Sequence, residues 1–314
     1  MTPKIVVITG PTATGKTALS VALAEKIGGE VVGADSMQIY KYMDIGTAKP
    51  TAEETHGVPH HMIDIVMPQE SYSVSRYAEE ASACVDDILS RGMIPIVTGG
   101  TGLYIEALIA GRHFAPEAVS SGLRREISDE YDSLGGEKML ELLSLFDPES
   151  GAKLHPNDKK RIVRAFEVYY TSGKTISQHN AETKAAPPRY DTYKLALNFA
   201  VRDDLYARID GRVDNMMQAG LEGEVRSLLD MGVSVDCTSM QAIGYKEIAA
   251  AVLSGGDIVE AAETVKRESR RYAKRQISWF SRDKTIKWIN WEKLPDLADG
   301  LRISTDFLAA AGVI

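Results

Sequence analysis

Residues 10–17 read Gly10-Pro11-Thr12-Ala13-Thr14-Gly15-Lys16-Thr17, the pattern G-x-x-x-x-G-K-[ST]. Such a loop is an anion trap. Backbone N–H groups converge at a helix N-terminus, where the helix dipole adds positive potential. Gly15 lets the chain turn closely around phosphate oxygens, Lys16 reaches the terminal phosphates, and the Thr17 hydroxyl can hold magnesium. The pattern implies a polyphosphate site; it specifies neither ATP nor phosphoryl transfer.

Two further groups could do chemistry beside that trap. Asp35 follows the apolar run Val31-Val32-Gly33-Ala34 and precedes Ser36, Gln38 and Tyr40, polar groups suited to contacting a substrate. A carboxylate at the C-terminal end of a parallel strand lies on the ligand-binding edge of the sheet, where it could bind metal or act as a general base. Thr98-Gly99-Gly100-Thr101-Gly102 is a second glycine loop at a strand end. It either brings the Thr101 hydroxyl to the phosphate site or is a plain tight turn. His60-His61 with Asp64 could suggest a metal site, but neighbours on an extended segment point oppositely, which favours structural hydrogen bonding.

The elements that must position these groups follow from hydrophobic periodicity. Strands are expected at Lys4–Thr9, Glu30–Ala34, Ile63–Val66 and Met93–Thr98. Helices are expected after the phosphate loop, stopped by Gly28-Gly29, and at Tyr77–Leu89. This alternation implies βαβ units and a mostly parallel sheet. From about Glu117 to Lys184 the pattern turns helical, with Leu123–Leu134, Glu137–Phe146 and Lys159–Tyr170, and Pro187-Pro188 closes the stretch. Lys194–Val201 then returns as a strand, followed by a helix carrying Leu205, Ile209, Val213 and Met217. The expected fold class is therefore α/β, a parallel-sheet core of the P-loop NTPase-like kind with a helical insertion. Residues 1–116 and 190–314 would form the core with C-terminal helices, and residues 117–189 the insertion.

The 314 residues carry a net charge of −8, which argues mildly against a polyanion partner. The average hides an asymmetry. Lys266–Lys284 holds eight basic residues against Glu268 and Asp283, a local +6 within a chain otherwise at −14. On a helical wheel Val265, Tyr272, Trp279 and Phe280 share one side, and Arg267, Arg270, Arg271 and Lys274 the other. A solvated face is the usual reading of such a run; this local excess favours contact with a nucleic-acid backbone. No apolar run is long enough to span a membrane. Two cysteines, Cys84 and Cys237, make neither a disulfide framework nor a cysteine-only zinc site, and no secretory signal opens the chain. A cytoplasmic protein is expected.

The ordered set of segments resembles the bacterial tRNA dimethylallyltransferases along nearly the whole chain. It comprises Gly10–Thr17, Asp35–Tyr40 continuing to Met43–Pro50, Pro59–Asp64, Gly99-Gly100-Thr101, Lys160–Arg164, Gln241–Glu247 and Arg271–Gln276. The resemblance implies transfer of a dimethylallyl group from dimethylallyl diphosphate to the exocyclic amine of the adenosine beside the anticodon. It implies that Asp35 is the general base and that Thr101 is a hydroxyl near base and diphosphate. Gly10, Pro11, Thr12, Ala13, Thr14, Gly15, Lys16 and Thr17 would hold diphosphate, joined by Arg208 or Arg212, and Thr17 would meet magnesium. Ser36, Met37 and Gln38 would line the extruded adenine, and Asp35 and Thr101 would also meet the tRNA. Lys160, Arg161, Ile162, Val163 and Arg164, a basic residue at Arg124 or Arg125, and Arg271, Lys274 and Arg275 would meet tRNA. The expected partners are a tRNA anticodon stem-loop and dimethylallyl diphosphate, with no membrane and the chain acting as a monomer. Two positions depart from the family pattern: Ser269 stands where Thr is usual, and Ser281 where Arg is expected. A P-loop small-molecule kinase using ATP, or a non-catalytic nucleotide-gated RNA-binding module, are the alternatives.

Overall fold

The computed structural model describes residues 2–110, 121–185 and 187–314. The elements run β1 (Lys4–Thr9), α1 (Lys16–Ile27), β2 (Gly29–Gly33), α2 (Ala52–Thr55), β3 (His60–His61), α3 (Val74–Ser90), β4 (Ile94–Thr98) and α4 (Gly102–Ala110). Five helices follow: α5 (Ser121–Leu134), α6 (Gly136–Phe146), α7 (Pro148–Lys153), α8 (Lys159–Ser172) and α9 (Ile176–Ala185). The chain then returns through β5 (Asp191–Phe199), α10 (Arg202–Gln218), α11 (Leu221–Asp230), α12 (Tyr245–Ser254), α13 (Ile258–Phe280), β6 (Lys287–Trp291) and α14 (Leu297–Ala310). It divides into two compact units, one of residues 2–109 with 189–314 and one of residues 110–188.

In the first unit six strands pair in the order β3-β2-β4-β1-β5-β6, every pair parallel. A parallel sheet is covered on both faces, so its strands are apolar throughout while side chains still alternate sides. β1 shows this directly. Val6 and Ile8 join Leu19 and Leu23 of α1 and Leu308 of α14 in one core, whereas Ile5 and Val7 join Tyr77, Ala81 and Val85 of α3 and Leu108 of α4 in the other. A third cluster packs Ile39, Tyr40, Met43 and Val66 against Leu221, Val225, Tyr245 and Ile248 of α11 and α12. It anchors the segment that follows Asp35.

Strand limits differ from expectation in places. The run Ile63–Val66 is not a strand; the edge strand is β3, paired Val31 to His60 and Val32 to His61. Met62 and Asp64 have φ of 64° and 56°, left-handed values that interrupt extended pairing. Val66 makes one isolated bridge, to Tyr40. β5 begins at Asp191 and ends before Val201. Arg189, expected to close the insertion, leads into β5 instead. Its N–H donates to Ile109 O at 3.1 Å, and its guanidinium pairs with Asp86.

Among its described residues the second unit consists of helices joined by short turns, with no strand. Its core comprises Ile127 of α5, Met139 and Leu143 of α6, and Ile162, Val163 and Phe166 of α8. The expected junction at 116–117 lies outside the described residues.

Candidate active site

All strands being parallel, the loops after β1, β2 and β4 leave the sheet at one edge, where such folds bind ligands. There they surround a cavity of about 910 Å³ lined by Thr12–Ala18, Asp35–Gln38, Gly46–Lys49, Thr98–Gly100 and side chains from α10 and α13.

The phosphate loop is held closed from several directions. Thr14 Oγ1 and Lys16 Nζ donate to Pro11 O at 2.9 and 2.7 Å. The buried Trp291 indole N–H of β6 donates to Thr14 O at 2.9 Å. Ala13 takes φ 66°, a conformation costly to a residue bearing Cβ and tolerated where surrounding bonds over-determine it. Gly15, with φ 86°, is the N-cap of α1.

Arg208 and Arg212, left as alternatives by sequence, both reach this loop. Arg208 Nε donates to Ala13 O at 3.1 Å, and Arg212 Nη1 donates to Thr12 Oγ1 at 2.9 Å. They stand one helical turn apart on α10, so both point the same way. Three cations therefore converge on one loop. Burial, with Arg212 nearby, lowers the Lys16 pKa to about 7, opposed by Asp35. Burial also lowers that of Arg212, again opposed by Asp35. A cluster of like charges short of counter-charge is built for a polyanion.

Asp35 Oδ1 accepts from Met37 N–H at 2.9 Å. Thr101 Oγ1 accepts from Ser36 N–H at 3.1 Å and lies 3.4 Å from Ser36 Oγ. Thr98, Gly99 and Gly100 line the cavity, while Thr101 sits just behind Ser36 rather than on its wall. Tyr40, read from sequence as a substrate contact, is buried with 1% exposure and belongs to the core. Gln38 Nε2 donates to Thr47 O and Ala48 O at 3.1 and 3.0 Å.

Gln276 of α13 was missed as a site residue by every periodicity argument, although it lies beside Arg275. It is buried, accepts from Thr12 N–H at 3.0 Å and donates to Gly100 O at 3.0 Å. Glu224 and Tyr245, which hold the 44–46 loop, carried no sequence signal beyond the stretch around Tyr245.

The histidine pair makes hydrogen bonds: His60 Nδ1 lies 2.8 Å from Val58 O, and His61 Nε2 lies 2.7 Å from Glu30 Oε2. Arg91 also clamps Glu30, and these partners hold its carboxyl at about 2 against the cost of burial.

The basic helix is less bare than its composition suggests. Arg270 Nη1 bonds both Asp210 oxygens at 2.5 and 2.6 Å. Lys266 pairs with Asp214 and Glu263 at 2.7 Å, and Arg271 with Glu268 at 2.6 Å. Among the described residues Lys274, Arg275, Arg282 and Lys284 have no carboxylate partner. Arg275 stacks over Tyr272, 5.6 Å from the ring centre, and lines the cavity. Trp279, grouped with the apolar side, is 36% exposed and covers Gly102.

In the helical unit, Ile162 and Val163 are buried at 0% and 6% exposure. Their side chains fill the core of that unit, which corrects their placement among RNA contacts. Arg124 and Arg164 both bind buried Glu167, at 2.9 and 2.9 Å. Lys160, Arg161 and Arg125 are exposed. Among the described residues only Arg161 of these three has an acidic partner, Asp158 at 3.5 Å.

Comparison with known proteins gives concordant results. The family model described as IPP transferase matches residues 38–283, and that described as isopentenyl transferase matches residues 3–69. The chain is 48% identical over 289 residues to a tRNA dimethylallyltransferase of Caldanaerobacter subterraneus subsp. tengcongensis, covering 92% of each chain. It is 46% identical over 288 residues to tRNA dimethylallyltransferase 2 of Geotalea uraniireducens, with the same coverage. Among solved structures it resembles the full-length tRNA isopentenylpyrophosphate transferase of Bacillus halodurans. There the TM-score is 0.73 and the identity 39%, over 99% of this chain and 96% of that one. It also resembles a eukaryotic dimethylallyltransferase described as acting on tRNA, with a TM-score of 0.82 and 31% identity over 98% of this chain and 80% of that one.

Proposed function

The chain belongs to the IPP transferase family, and from that premise we propose that it transfers a dimethylallyl group from dimethylallyl diphosphate to the exocyclic amine of the adenosine beside the anticodon of tRNA. The observation that carries this reading is the meeting, around one cavity, of a three-cation anion cradle with the Asp35 carboxylate.

The diphosphate lies in the Gly10–Thr17 loop, held by its N–H groups, Lys16, Arg208 and Arg212. The adenine leaves its stack to reach the cavity, which a single-stranded anticodon loop permits at low cost, and rests among Ser36, Met37 and Gln38. The amine nitrogen forms a bond to the allylic carbon as the carbon–oxygen bond to diphosphate breaks. The departing oxygen takes the electron pair, and Asp35 takes the amine proton. Charge therefore grows on the diphosphate just where fixed donors and cations already point, which is the arrangement that lowers such a barrier. Thr101 keeps the Asp35–Ser36 turn in place through the Ser36 N–H.

Thr17 lines the cavity beside Lys16, and its hydroxyl has no hydrogen-bond partner among the described residues. One protein hydroxyl, with diphosphate oxygens and water completing the shell, suits magnesium. Bound there, magnesium would offset charge on the diphosphate. Lys160, Arg161, Lys274 and Arg275 are exposed cations for the tRNA backbone, with Arg124, Arg164 and Arg271 already paired to carboxylates.

The test is transfer of radiolabelled dimethylallyl diphosphate into unmodified tRNA with magnesium and no ATP. Label should appear in tRNA and fall about 10²–10⁴-fold with Asp35→Ala, while tRNA affinity holds. Consumption of ATP on a small acceptor, with no label in tRNA, would overturn the reading in favour of a kinase.

A further inference from the structure

We propose that Glu224 is a positioning residue for the acceptor base, acting on it through Gln38; the inference rests on the tRNA-prenylating reading of the cavity. Gln38 lines the cavity three residues after Asp35. Its Nε2 donates to Thr47 O and to Ala48 O. Carbonyl oxygens only accept, so the amide nitrogen faces them and Oε1 is turned away. Among the described residues no donor reaches Oε1. The side chain thus keeps one open acceptor, complementary to an exocyclic amine and repelled by a keto oxygen.

The carbonyls that set this orientation are themselves held from far along the chain. Glu224, in the first turn of α11, accepts on Oε2 from Asp44 N–H at 2.9 Å and Ile45 N–H at 2.8 Å, and on Oε1 from Gly46 N–H at 3.1 Å. The Tyr245 hydroxyl donates to the same Oε1. Burial and the Glu224 charge push the Tyr245 pKa well up, so the hydroxyl keeps its proton. Gly46 is pressed on this ring: a Cβ there would lie 2.4 Å from Tyr245 Cε2.

Three successive amides aimed at one carboxylate fix the path of residues 44–46, and the next two residues present the carbonyls that Gln38 reads. Only a carboxylate does this. Four donors converge on its two oxygens, and an amide in its place would turn an N–H₂ against at least one of them. The loop has a second tether: Lys49 Nζ donates to Tyr40 O at 2.6 Å and pairs with Asp44 and Asp64. Loss of the carboxylate therefore loosens the alignment without freeing the segment.

The experiment compares the wild type with Glu224→Gln, Gln38→Ala and the double variant. It measures kcat and KM for each substrate, thermal melting, and competition by an anticodon stem-loop carrying inosine at the acceptor position. Glu224→Gln should lower kcat/KM for tRNA about tenfold, the scale of one misaligned hydrogen bond, with KM for dimethylallyl diphosphate unchanged. Its preference for the adenosine over the inosine stem-loop should fall by a similar factor. The double variant should be no worse than Gln38→Ala, because both substitutions break one chain of contacts. Tyr245→Phe, which keeps the ring on Gly46 and all three amide bonds, should retain the preference. Multiplying effects, an unchanged preference in Glu224→Gln, or a loss that extends to the donor KM with lowered melting would overturn the proposal. Absence of transfer by the wild type would instead overturn the prenyl-transfer reading, and this inference with it.

Discussion

The side-chain amide of Gln276 lies 3.0 Å from the Gly100 carbonyl, and a Cβ on Gly100 would stand 2.1 Å from its nitrogen. The other end of the same amide receives Thr12 N–H. One buried side chain on α13 thus couples the phosphate loop to the loop that carries Thr101. Gln276→Glu exchanges the donor for a second acceptor facing Gly100 O. We expect a cost of about 1–3 kcal/mol in stability and a raised KM for the diphosphate donor, read by denaturant unfolding and steady-state kinetics. Wild-type values for both would show that the bridge is dispensable.

Lys16 predicts a pH dependence whose sign is fixed by its surroundings. Its pKa stands at about 7 in the folded protein against an ordinary 10.5, and a diphosphate favours the charged form. The donor KM should therefore rise as pH increases above about 7. Stability moves the other way. Between about 7 and 10.5 the unfolded chain binds more protons at this group than the folded one. Its unfavourable contribution, complete below that window, therefore fades as pH rises through it. Lys16→Met should flatten both trends; titrating donor KM and unfolding across pH 6–9 checks the pair.

Gly99 and Gly223 should respond oppositely to alanine. A Cβ on Gly99 would stand 2.1 Å from Ala34 O, next to Asp35, whereas nothing lies within 4 Å of one on Gly223 in α11. Gly99→Ala forces two strand ends apart, at a cost of about 1–3 kcal/mol, and should lower kcat by moving Asp35. Gly223→Ala should gain about 0.5–1 kcal/mol from helix propensity with activity intact. Melting and turnover of the two variants side by side decide the matter.

Two arginines one turn apart on α8 should separate RNA contact from packing. Arg161 has 72% side-chain exposure, while Arg164 is half-buried against Glu167, whose own exposure is 1%. Arg161→Ala should weaken tRNA binding and lower its salt slope by about one, with unchanged stability. Arg164→Ala should also cost about 1–3 kcal/mol, because a buried carboxylate loses one of its two cations. Filter binding across a salt series, alongside denaturant unfolding, distinguishes them.

The alternation of strands and helices through β4, the helical stretch after it and the return at β5 were legible in sequence because periodicity and the Gly10–Thr17 pattern are local, whereas β6 (Lys287–Trp291) was not among the expected strands. Each depends on residues a few positions apart, and burial of alternate faces leaves its mark on composition. The same locality put Asp35 and the second glycine loop at strand ends, where a parallel sheet gathers them. Where backbone conformation outweighed composition the reading failed: Ile63–Val66 is apolar, yet positive φ at Met62 and Asp64 turns it out of the sheet. Charge counting likewise made α13 a bare cationic face, because the acids that neutralise Lys266 and Arg270 stand on α10, 52 to 60 residues away. The presence of both Arg208 and Arg212 at the phosphate loop, the Gln276 bridge and the Glu224 clamp came into view only with the fold. Each joins residues from 176 to 264 positions apart. Such contacts leave no periodic trace, since a single hydrogen bond specifies a donor and an acceptor in space and places no constraint on the residues between them.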